Sequence, residues 1–244
     1  MVNLFAVTGG KGGSGKSTFS IELSIALSKQ GKRVLLIDAD AGMRCLDMLL
    51  GVSENLVFDL SDAVGGRELS SCLLPVKKFG NISLLPAPAT VGEPSPEDFG
   101  KFIKNIHGKG FEAVVIDLPA GANKPLYQAL PVFAKFICIC NPNQVSVRDA
   151  GVIGNLLRDI GREGRLVINR FERYFVRNSL FDNLDDIINE AGLTLLGIVP
   201  ESEKLAFAFC TGKFLTKGRD FKAFVRIASR LDGKSVPLPK LKKI

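Results

Sequence analysis

A stretch near the start of the chain has the residue types of a phosphate-binding loop. Residues 9–18 read Gly-Gly-Lys-Gly-Gly-Ser-Gly-Lys-Ser-Thr and directly follow the apolar run 4–7. Gly10, Gly15, Lys16 and Ser17 fit the pattern G-x-x-x-x-G-K-[ST]. Glycine permits positive φ and lets backbone N–H groups approach phosphate oxygens, lysine supplies a cation, and a hydroxyl can bind Mg²⁺. The stretch therefore predicts a site for a nucleoside di- or triphosphate.

A helix that begins near Ser17 would direct its N-terminal N–H groups and positive dipole end at the phosphates. A dinucleotide-binding turn is the competing interpretation, because Gly10, Gly12 and Gly15 also spell G-x-G-x-x-G and acidic residues close the next apolar run about 20 residues later. Lys16 followed by Ser17 favours the phosphate loop, since a pyrophosphate-binding turn needs neither. We expect the nucleotide to contact the loop at Gly10, Lys11, Gly12, Gly13, Ser14, Gly15, Lys16, Ser17 and Thr18.

Carboxylates stand at the ends of two apolar runs. Asp38 and Asp40 close the run 34–37, and Asp117 closes the run 114–116. A single Asp after a strand is often only a helix cap, whereas two at i and i+2 point the same way. Ligands of open α/β sheets bind at the carboxyl ends of the strands. The acids are therefore expected beside the phosphate loop, where Asp117 would lie near a metal ion.

Lys11 is a second lysine inside the glycine run, and one nucleotide does not require it. The loop resembles that of the MinD/ParA family of deviant Walker ATPases, which reads K-G-G-x-G-K-[ST], and residues 117–121 resemble the D-x-P-A-G switch of that family. Residues 42–51 are similar to the run G-L-R-N-L-D-x-x-x-G of its MinD branch, with Cys45 in place of Asn. The similarity extends to about residue 231.

This resemblance implies an Mg²⁺-dependent ATPase that hydrolyses ATP slowly, dimerises when it binds ATP, and acts as a switch in spatial regulation such as the placement of the cell-division site. Lys11 would reach the phosphates of the partner subunit, and Asp40 would position the attacking water. Mg²⁺ would be organised by Ser17, Asp38 and Asp117. Adenine would lie against Asn169, Arg170, Pro200 and Glu201. The implied fold is that of a P-loop NTPase of the SIMIBI type.

The elements that must position these residues follow from the hydrophobic pattern. Short apolar runs alternate with segments of helical period, which is typical of a mostly parallel, twisted sheet with helices on both faces. We predict one α/β domain over residues 1–232 and a short basic, proline-containing tail over 233–244. Strands are expected at 2–7, 33–38, 82–86, 112–117, 135–140, 165–169 and 195–199. Helices are expected near 17–30, 44–50, 57–64, 96–107, 124–131, 145–160, 181–191, 201–209 and 219–231.

Two segments and the tail are candidates for contact with a regulatory protein or a membrane. Residues 141–149 resemble the MinD run N-P-x-x-x-S-V-R-D, which opens the helix that regulators contact. They also fit a plain helix start with Ser146 near the cap and Asp149 completing a capping box, and both interpretations can hold at once. Residues 219–231 are amphipathic, and we interpret them as a core helix rather than a membrane anchor. The tail carries three lysines, each worth about 1 kcal/mol near an anionic membrane, which is marginal.

Composition and charge limit where the protein can act and which classes of function remain as alternatives. The chain has 244 residues, a net charge of +7 and no run of 18 apolar residues. We expect no signal peptide and a cytoplasmic protein that could bind peripherally to a membrane or nonspecifically to DNA. A ParA-type DNA-partition ATPase or a flagellar-number regulator is the first alternative. A metallocentre-assembly factor is the second, and it depends on Cys138 and Cys140, which we interpret as buried strand residues. The single histidine, His107, is expected at the surface.

Overall fold

A computed structural model describes residues 2–88, 94–106, 108–172 and 183–238. Its centre is an eight-stranded sheet in the order β3-β4-β2-β5-β1-β6-β7-β8. The strands are β1 Asn3–Thr8, β2 Val34–Asp38, β3 Leu74–Pro75, β4 Ile82–Leu85, β5 Ala113–Asp117, β6 Lys135–Cys140, β7 Gly164–Phe171 and β8 Thr194–Pro200. All neighbouring strands are parallel except the short edge strand β3, which pairs antiparallel with β4.

The helices of the described residues are α1 Lys16–Lys29, α2 Leu46–Leu50, α3 Leu60–Val64, α4 Leu69–Cys72, α5 Pro96–Asn105, α6 Lys124–Ala129, α7 Gln144–Asp159, α8 Leu184–Ala191, α9 Glu203–Thr211 and α10 Phe221–Leu231. Short 3₁₀ turns occupy Ala41–Met43, Ser53–Asn55 and Lys77–Phe79. This architecture confirms the predicted α/β class with a mostly parallel sheet.

The alternation of side chains along the strands explains why helices cover both faces. In β1, Phe5 and Val7 enter the apolar core beneath α1 and α10, while Leu4 and Ala6 enter the core beneath α5, α6, α7 and α8. Strands that are buried on both faces read as continuous apolar runs, and this is why the central strands were recognisable in the sequence.

The sequence prediction missed two short elements and placed the start of one helix too early. The sequence prediction missed β3 and α4, because a two-residue strand ending in Pro75 and a single helical turn carry too little periodicity to detect. The helix predicted at 44–50 begins with the 3₁₀ turn and becomes α-helical only at Leu46. The helix predicted at 219–231 is α10, whose apolar face lies in the core as expected.

Several expectations fall on residues outside the described ranges. These are the surface position of His107, the first residues of the helix predicted at 181–191, and residues 239–244 of the tail. The described part of the tail is held to α10, because Arg230 Nε donates a 2.8 Å hydrogen bond to the Val236 carbonyl. No helix in the described part of the chain is long and apolar enough to cross a membrane.

Candidate functional site

A cavity of about 430 Å³ opens at the carboxyl end of the sheet, where the phosphate loop meets the segments that follow β2, β5, β7 and β8. Many of the predicted nucleotide-binding residues form its wall. They are Gly12, Gly13, Gly15, Lys16, Ser17, Thr18, Asp40, Asn169, Arg170, Pro200 and Glu201. Ala120 of the predicted switch lies on the same wall. The structure therefore gathers into one cavity residues that are separated by up to about 190 positions in the sequence.

The loop conformation depends on glycine at Gly13 and Gly15, where φ is +82° and +93°. A Cβ on Gly15 would also lie 2.4 Å from Asn169 Nδ2, so the loop and the end of β7 touch at this point. α1 begins at the next residue and has no acidic residue in its first turn. Its N-terminal N–H groups and the Lys16 cation together make the favourable surroundings for an anion.

Lys11 occupies a different position from Lys16. The Lys16 side chain is 7% exposed and lines the cavity. Lys11 is exposed on the loop, and the cavity wall defined by the described residues does not include it. Lys11 is therefore available to a group outside its own cavity.

Asp117 lies behind the loop and is almost completely buried. Its Oδ1 accepts a 2.9 Å hydrogen bond from the Ser20 hydroxyl, and the Ser17 hydroxyl bonds the same carboxylate. Burial raises the pKa of Asp117 to about 6, although these hydroxyls and the nearby Lys16 charge oppose the shift. A buried carboxylate beside the Ser17 hydroxyl has the oxygen ligands that Mg²⁺ prefers, so the residues present fit this cation.

Asp38 is paired with Asp117 across the parallel strands β2 and β5. Burial and then the charge of Asp117 raise the pKa of Asp38 to about 7. Both oxygens of Asp38 accept backbone N–H groups: Oδ1 from Asp40 at 3.2 Å, and Oδ2 from Cys45 at 3.3 Å and Leu46 at 3.2 Å. Asp38 thus holds the segment that carries Asp40, in addition to contributing negative charge near Asp117.

Asp40 is the acid that reaches the cavity wall. It follows the end of β2, is partly exposed, and precedes the 3₁₀ turn Ala41–Met43. Its backbone N–H is fixed by Asp38, so its position depends on the buried carboxylate two residues earlier. A solvent-accessible carboxylate at this point can accept a proton or orient a water molecule.

The end of β7 forms another part of the cavity wall, next to the loop. Asn169 Nδ2 donates a 2.8 Å hydrogen bond to the Ser14 carbonyl, so its amide braces the phosphate loop. Arg170 follows with φ +52°, the one described non-glycine residue with positive φ, where the pairing of β7 with β8 is irregular. Glu201 N–H donates to the Phe171 carbonyl at 3.0 Å, which holds the segment after β8 against β7.

An apolar part of the wall was not predicted from the sequence. It consists of Phe19, Met43, Cys45, Leu205, Ala206, Phe209, Cys210 and Phe224. Leu205 and Phe209 are four residues apart and share a face of α9, which was the available signal. That signal indicates an apolar helix face, and only the tertiary structure shows that this face borders the cavity.

The start of α7 differs from the predicted capping arrangement. The cap is Asn143, whose Oδ1 accepts a 3.0 Å hydrogen bond from Ser146 N–H, while Ser146 Oγ accepts from Asn141 N–H at 2.9 Å. The prediction of a box between Ser146 and Asp149 was wrong, because the extended backbone at Asn143 starts the helix earlier. Asp149 instead packs against the phosphate loop, where a Cβ on Gly10 would lie 2.1 Å from Asp149 Cβ.

Cys138 and Cys140 have neutral, buried thiols. Both are fully buried in β6, and burial raises the pKa of each thiol, to about 12 for Cys140. Metal binding requires the thiolate, which burial disfavours. Among the described residues, no group of three or more His, Cys, Asp or Glu side chains is arranged to hold a metal ion.

Comparison with known proteins agrees with this geometry. Residues 5–215 match the family model described as the CobQ/CobB/MinD/ParA nucleotide binding domain. The chain is 34% identical over 252 residues to the septum site-determining protein MinD of Bacillus subtilis, covering 100% of this chain and 94% of that protein. It is 33% identical over 247 residues to the MinD of Thermotoga maritima, covering 98% and 91%.

Solved structures of MinD proteins are also similar to this chain. The MinC:MinD cell division protein complex of Aquifex aeolicus contains a chain with a TM-score of 0.86 and 32% identity, with 98% of this chain and 99% of that chain covered. MinD of Pyrococcus horikoshii, complexed with Mg-ADP, has a TM-score of 0.81 and 25% identity, with 95% and 96% covered.

Proposed function

Since the chain belongs to the CobQ/CobB/MinD/ParA family of nucleotide-binding domains, we propose that it is an ATPase that acts as a nucleotide switch in the placement of the cell-division site. The observation that carries the proposal is the cavity whose wall includes the N-terminus of α1, Lys16 and Asp40. A donor-rich helix start binds phosphate, and a carboxylate in the same cavity can act on water.

ATP is the proposed nucleotide, with its phosphates in the loop 9–18 and its base between the end of β7 and α9. Asn169, Arg170, Pro200 and Glu201 are the polar and backbone part of the base site, and Leu205 and Phe209 add an apolar wall. Ser17 and Asp117 would hold Mg²⁺, with Asp38 supplying further negative charge. When bound, Mg²⁺ would neutralise charge on the phosphate oxygens.

The roles of the chain's own residues follow from their positions. Lys16 faces the phosphates from within the cavity and stabilises their negative charge. Asp40 orients the attacking water in line with the terminal phosphate, since positioning and charge stabilisation dominate phosphoryl transfer. Turnover is proposed to be slow until a second subunit completes the site.

Dimerisation upon ATP binding is proposed from the exposure of Lys11. A lysine on the phosphate loop that lies outside its own cavity wall can extend to the phosphates of a facing subunit. A face-to-face dimer would bring two such lysines to two nucleotides by symmetry, which makes the dimer dependent on both nucleotides.

A regulatory protein is proposed to bind α7. Val145 and Val152 on this helix are 53% and 54% exposed, and Arg148 between them is also exposed. Asp149, one residue later, packs on the phosphate loop, so this helix connects an exposed surface to the nucleotide site. Peripheral binding to an anionic membrane remains proposed from the net charge of +7.

Two variants test the ATPase proposal. Lys16→Ala should abolish ATP binding measured by fluorescent-nucleotide titration, because it removes the cation inside the cavity. Asp40→Ala should retain ATP and lose hydrolysis by at least about 100-fold, in the range found for positioned acid–base groups. Wild-type hydrolysis by Asp40→Ala would refute the role of Asp40, and unchanged ATP affinity of Lys16→Ala would refute the nucleotide site itself.

A further inference from the structure

Tyr127 is a buried residue of α6 that the sequence did not single out. It is fully buried, and its ring lies 5.0 Å, centroid to centroid, from the ring of Phe136 in β6. Its hydroxyl lies beneath the turn 117–121 that follows β5. A fully buried phenol needs a hydrogen-bond partner, so the identity of its partners indicates what the hydroxyl does.

The Tyr127 hydroxyl connects the turn to the end of β1. It donates a 3.0 Å hydrogen bond to the Gly121 carbonyl. A phenol has one proton to donate, so in its hydrogen bond with Thr8 the Thr8 Oγ1 is the donor. Thr8 is also fully buried and immediately precedes the phosphate loop. Burial raises the pKa of Tyr127 to about 12, so the phenol keeps this proton at neutral pH.

Both backbone polar groups of Gly121 are hydrogen-bonded. Its carbonyl accepts from Tyr127, and its N–H donates a 2.9 Å hydrogen bond to the Gly9 carbonyl at the start of the loop. Leu118 N–H donates to the Val7 carbonyl at 3.0 Å and fixes the beginning of the same turn. Between these points lies Ala120, which is part of the cavity wall.

We infer that Tyr127 is a positioning residue that sets the turn 117–121 against the phosphate loop, so that Ala120 meets the terminal phosphate of a nucleoside triphosphate. The inference rests on the proposed function, since it assumes that a nucleotide occupies the cavity. Without the hydroxyl the turn loses one of the hydrogen bonds that fix it, the bond at the Gly121 carbonyl, while those from Leu118 and Gly121 N–H remain. Part of the binding free energy is then used to order the turn. A diphosphate lacks the group that the turn would meet, so the loss falls on the triphosphate.

The experiment compares the affinities of a non-hydrolysable ATP analogue and of ADP, both with Mg²⁺, by isothermal titration calorimetry. Tyr127→Phe removes the hydroxyl and keeps the ring. We expect its affinity for the analogue to fall about 10-fold, the size expected when one buried hydrogen bond is broken, and its affinity for ADP to stay within about twofold of wild type. Thr8→Val removes only the hydrogen bond between Thr8 and the Tyr127 hydroxyl. Its affinity for the analogue, relative to that for ADP, should fall by a smaller factor.

Phe136→Leu is the matched control, because it loosens the packing around the Tyr127 ring and leaves the hydroxyl in place. It should lower the melting temperature while the ratio of the two affinities stays at the wild-type value. The ratio is the affinity for the ATP analogue divided by the affinity for ADP. An unchanged or increased ratio in Tyr127→Phe overturns the inference, and so does a fall of the same size in Phe136→Leu. If Tyr127→Phe does not fold, the ratio in Thr8→Val decides. Failure of the wild-type protein to bind either nucleotide would instead contradict the proposed function.

Discussion

Asp38 and Asp117 stand at paired positions on neighbouring parallel strands, and the charge of Asp117 adds to burial in raising the pKa of Asp38 to about 7. Burial also raises the pKa of Asp117 itself, to about 6. Two buried carboxylates side by side are costly when both are ionised, unless a cation lies near them. Burial therefore favours the protonated form of these two acids in the absence of a cation, and a divalent cation would favour the ionised form.

This pairing predicts how the stability of the metal-free protein depends on pH. The folded pKa values of about 7 and about 6 exceed the ordinary aspartate pKa of 3.8, so the folded state binds more protons than the unfolded state between about pH 4 and pH 7. In EDTA, the contribution of these groups to the free energy of unfolding should fall as pH rises through that window. The melting temperature, scanned from pH 4.5 to 7.5, measures the effect.

Mg²⁺ should raise the melting temperature more at pH 7.5 than at pH 5, because it binds the ionised carboxylates and stabilises only the folded state. Asp38→Asn should flatten the pH dependence in EDTA, since it removes the group with the larger shift. An equal Mg²⁺ effect at the two pH values would contradict the assignment of these acids to a cation site.

Gly15→Ala should weaken nucleotide binding by about 5- to 30-fold, since a non-glycine residue at φ +93° costs roughly 1–2 kcal/mol. Its Cβ would also displace Asn169, whose amide lies 2.4 Å away. Gly13→Ala is the matched comparison, because φ is also positive there (+82°) while nothing lies within 4 Å of a Cβ, and it should lose less. Titration with a fluorescent ADP analogue measures both, and equal losses would show that the contact with Asn169 has no role.

Lys11→Ala should bind ATP as a monomer. Removal of a buried charge from an interface costs roughly 2 kcal/mol or more, so the ATP-dependent dimer should weaken at least about 30-fold. Light scattering after size exclusion, with ATP and Mg²⁺, measures the mass. Lys29→Ala, an exposed lysine at the other end of α1, is the control and should dimerise like wild type. A wild-type dimer formed by Lys11→Ala would refute contact across the interface.

Glu22 is a buried acid of α1 outside the proposed chemistry. Its Oε1 accepts a 2.8 Å hydrogen bond from Leu215 N–H, while its Oε2 has no partner, and burial raises its pKa from 4.5 to about 8. The folded state therefore retains this proton between about pH 4.5 and pH 8, and the stability that Glu22 contributes falls as pH rises through that window.

Glu22→Gln should be more stable than wild type at pH 8. This advantage should shrink towards pH 5, where the folded wild type keeps its proton and the unfolded state, with a pKa near 4.5, begins to regain it. Urea unfolding at pH 5, 6.5 and 8 gives the free energies. The exposed Glu54→Gln is the control and should show a constant difference. Parallel curves for Glu22→Gln and wild type would show that Glu22 does not titrate in this window.

The glycine-rich loop 9–18, the central strands and the acids at their ends could all be predicted from the sequence. These features are local: a glycine run before a lysine, and apolar runs that end in Asp38 or Asp117, carry their meaning in a few adjacent residues. The resemblance of the loop, the switch and residues 42–51 to one family was enough to identify that family, which the comparisons confirmed.

The contacts between residues far apart in the sequence could not be predicted and are seen only in the folded chain. The Asn169 bond to Ser14, the packing of Asp149 on Gly10 and the apolar wall from α9 join positions that no sequence period connects. Tyr127 shows most clearly why such contacts could not be predicted. In the sequence it is one apolar residue of a predicted helix, and its hydroxyl gains a role only because α6 packs beneath the turn 117–121 and faces the end of β1. Contacts of this kind depend on the relative placement of whole elements, which the packing of the core determines.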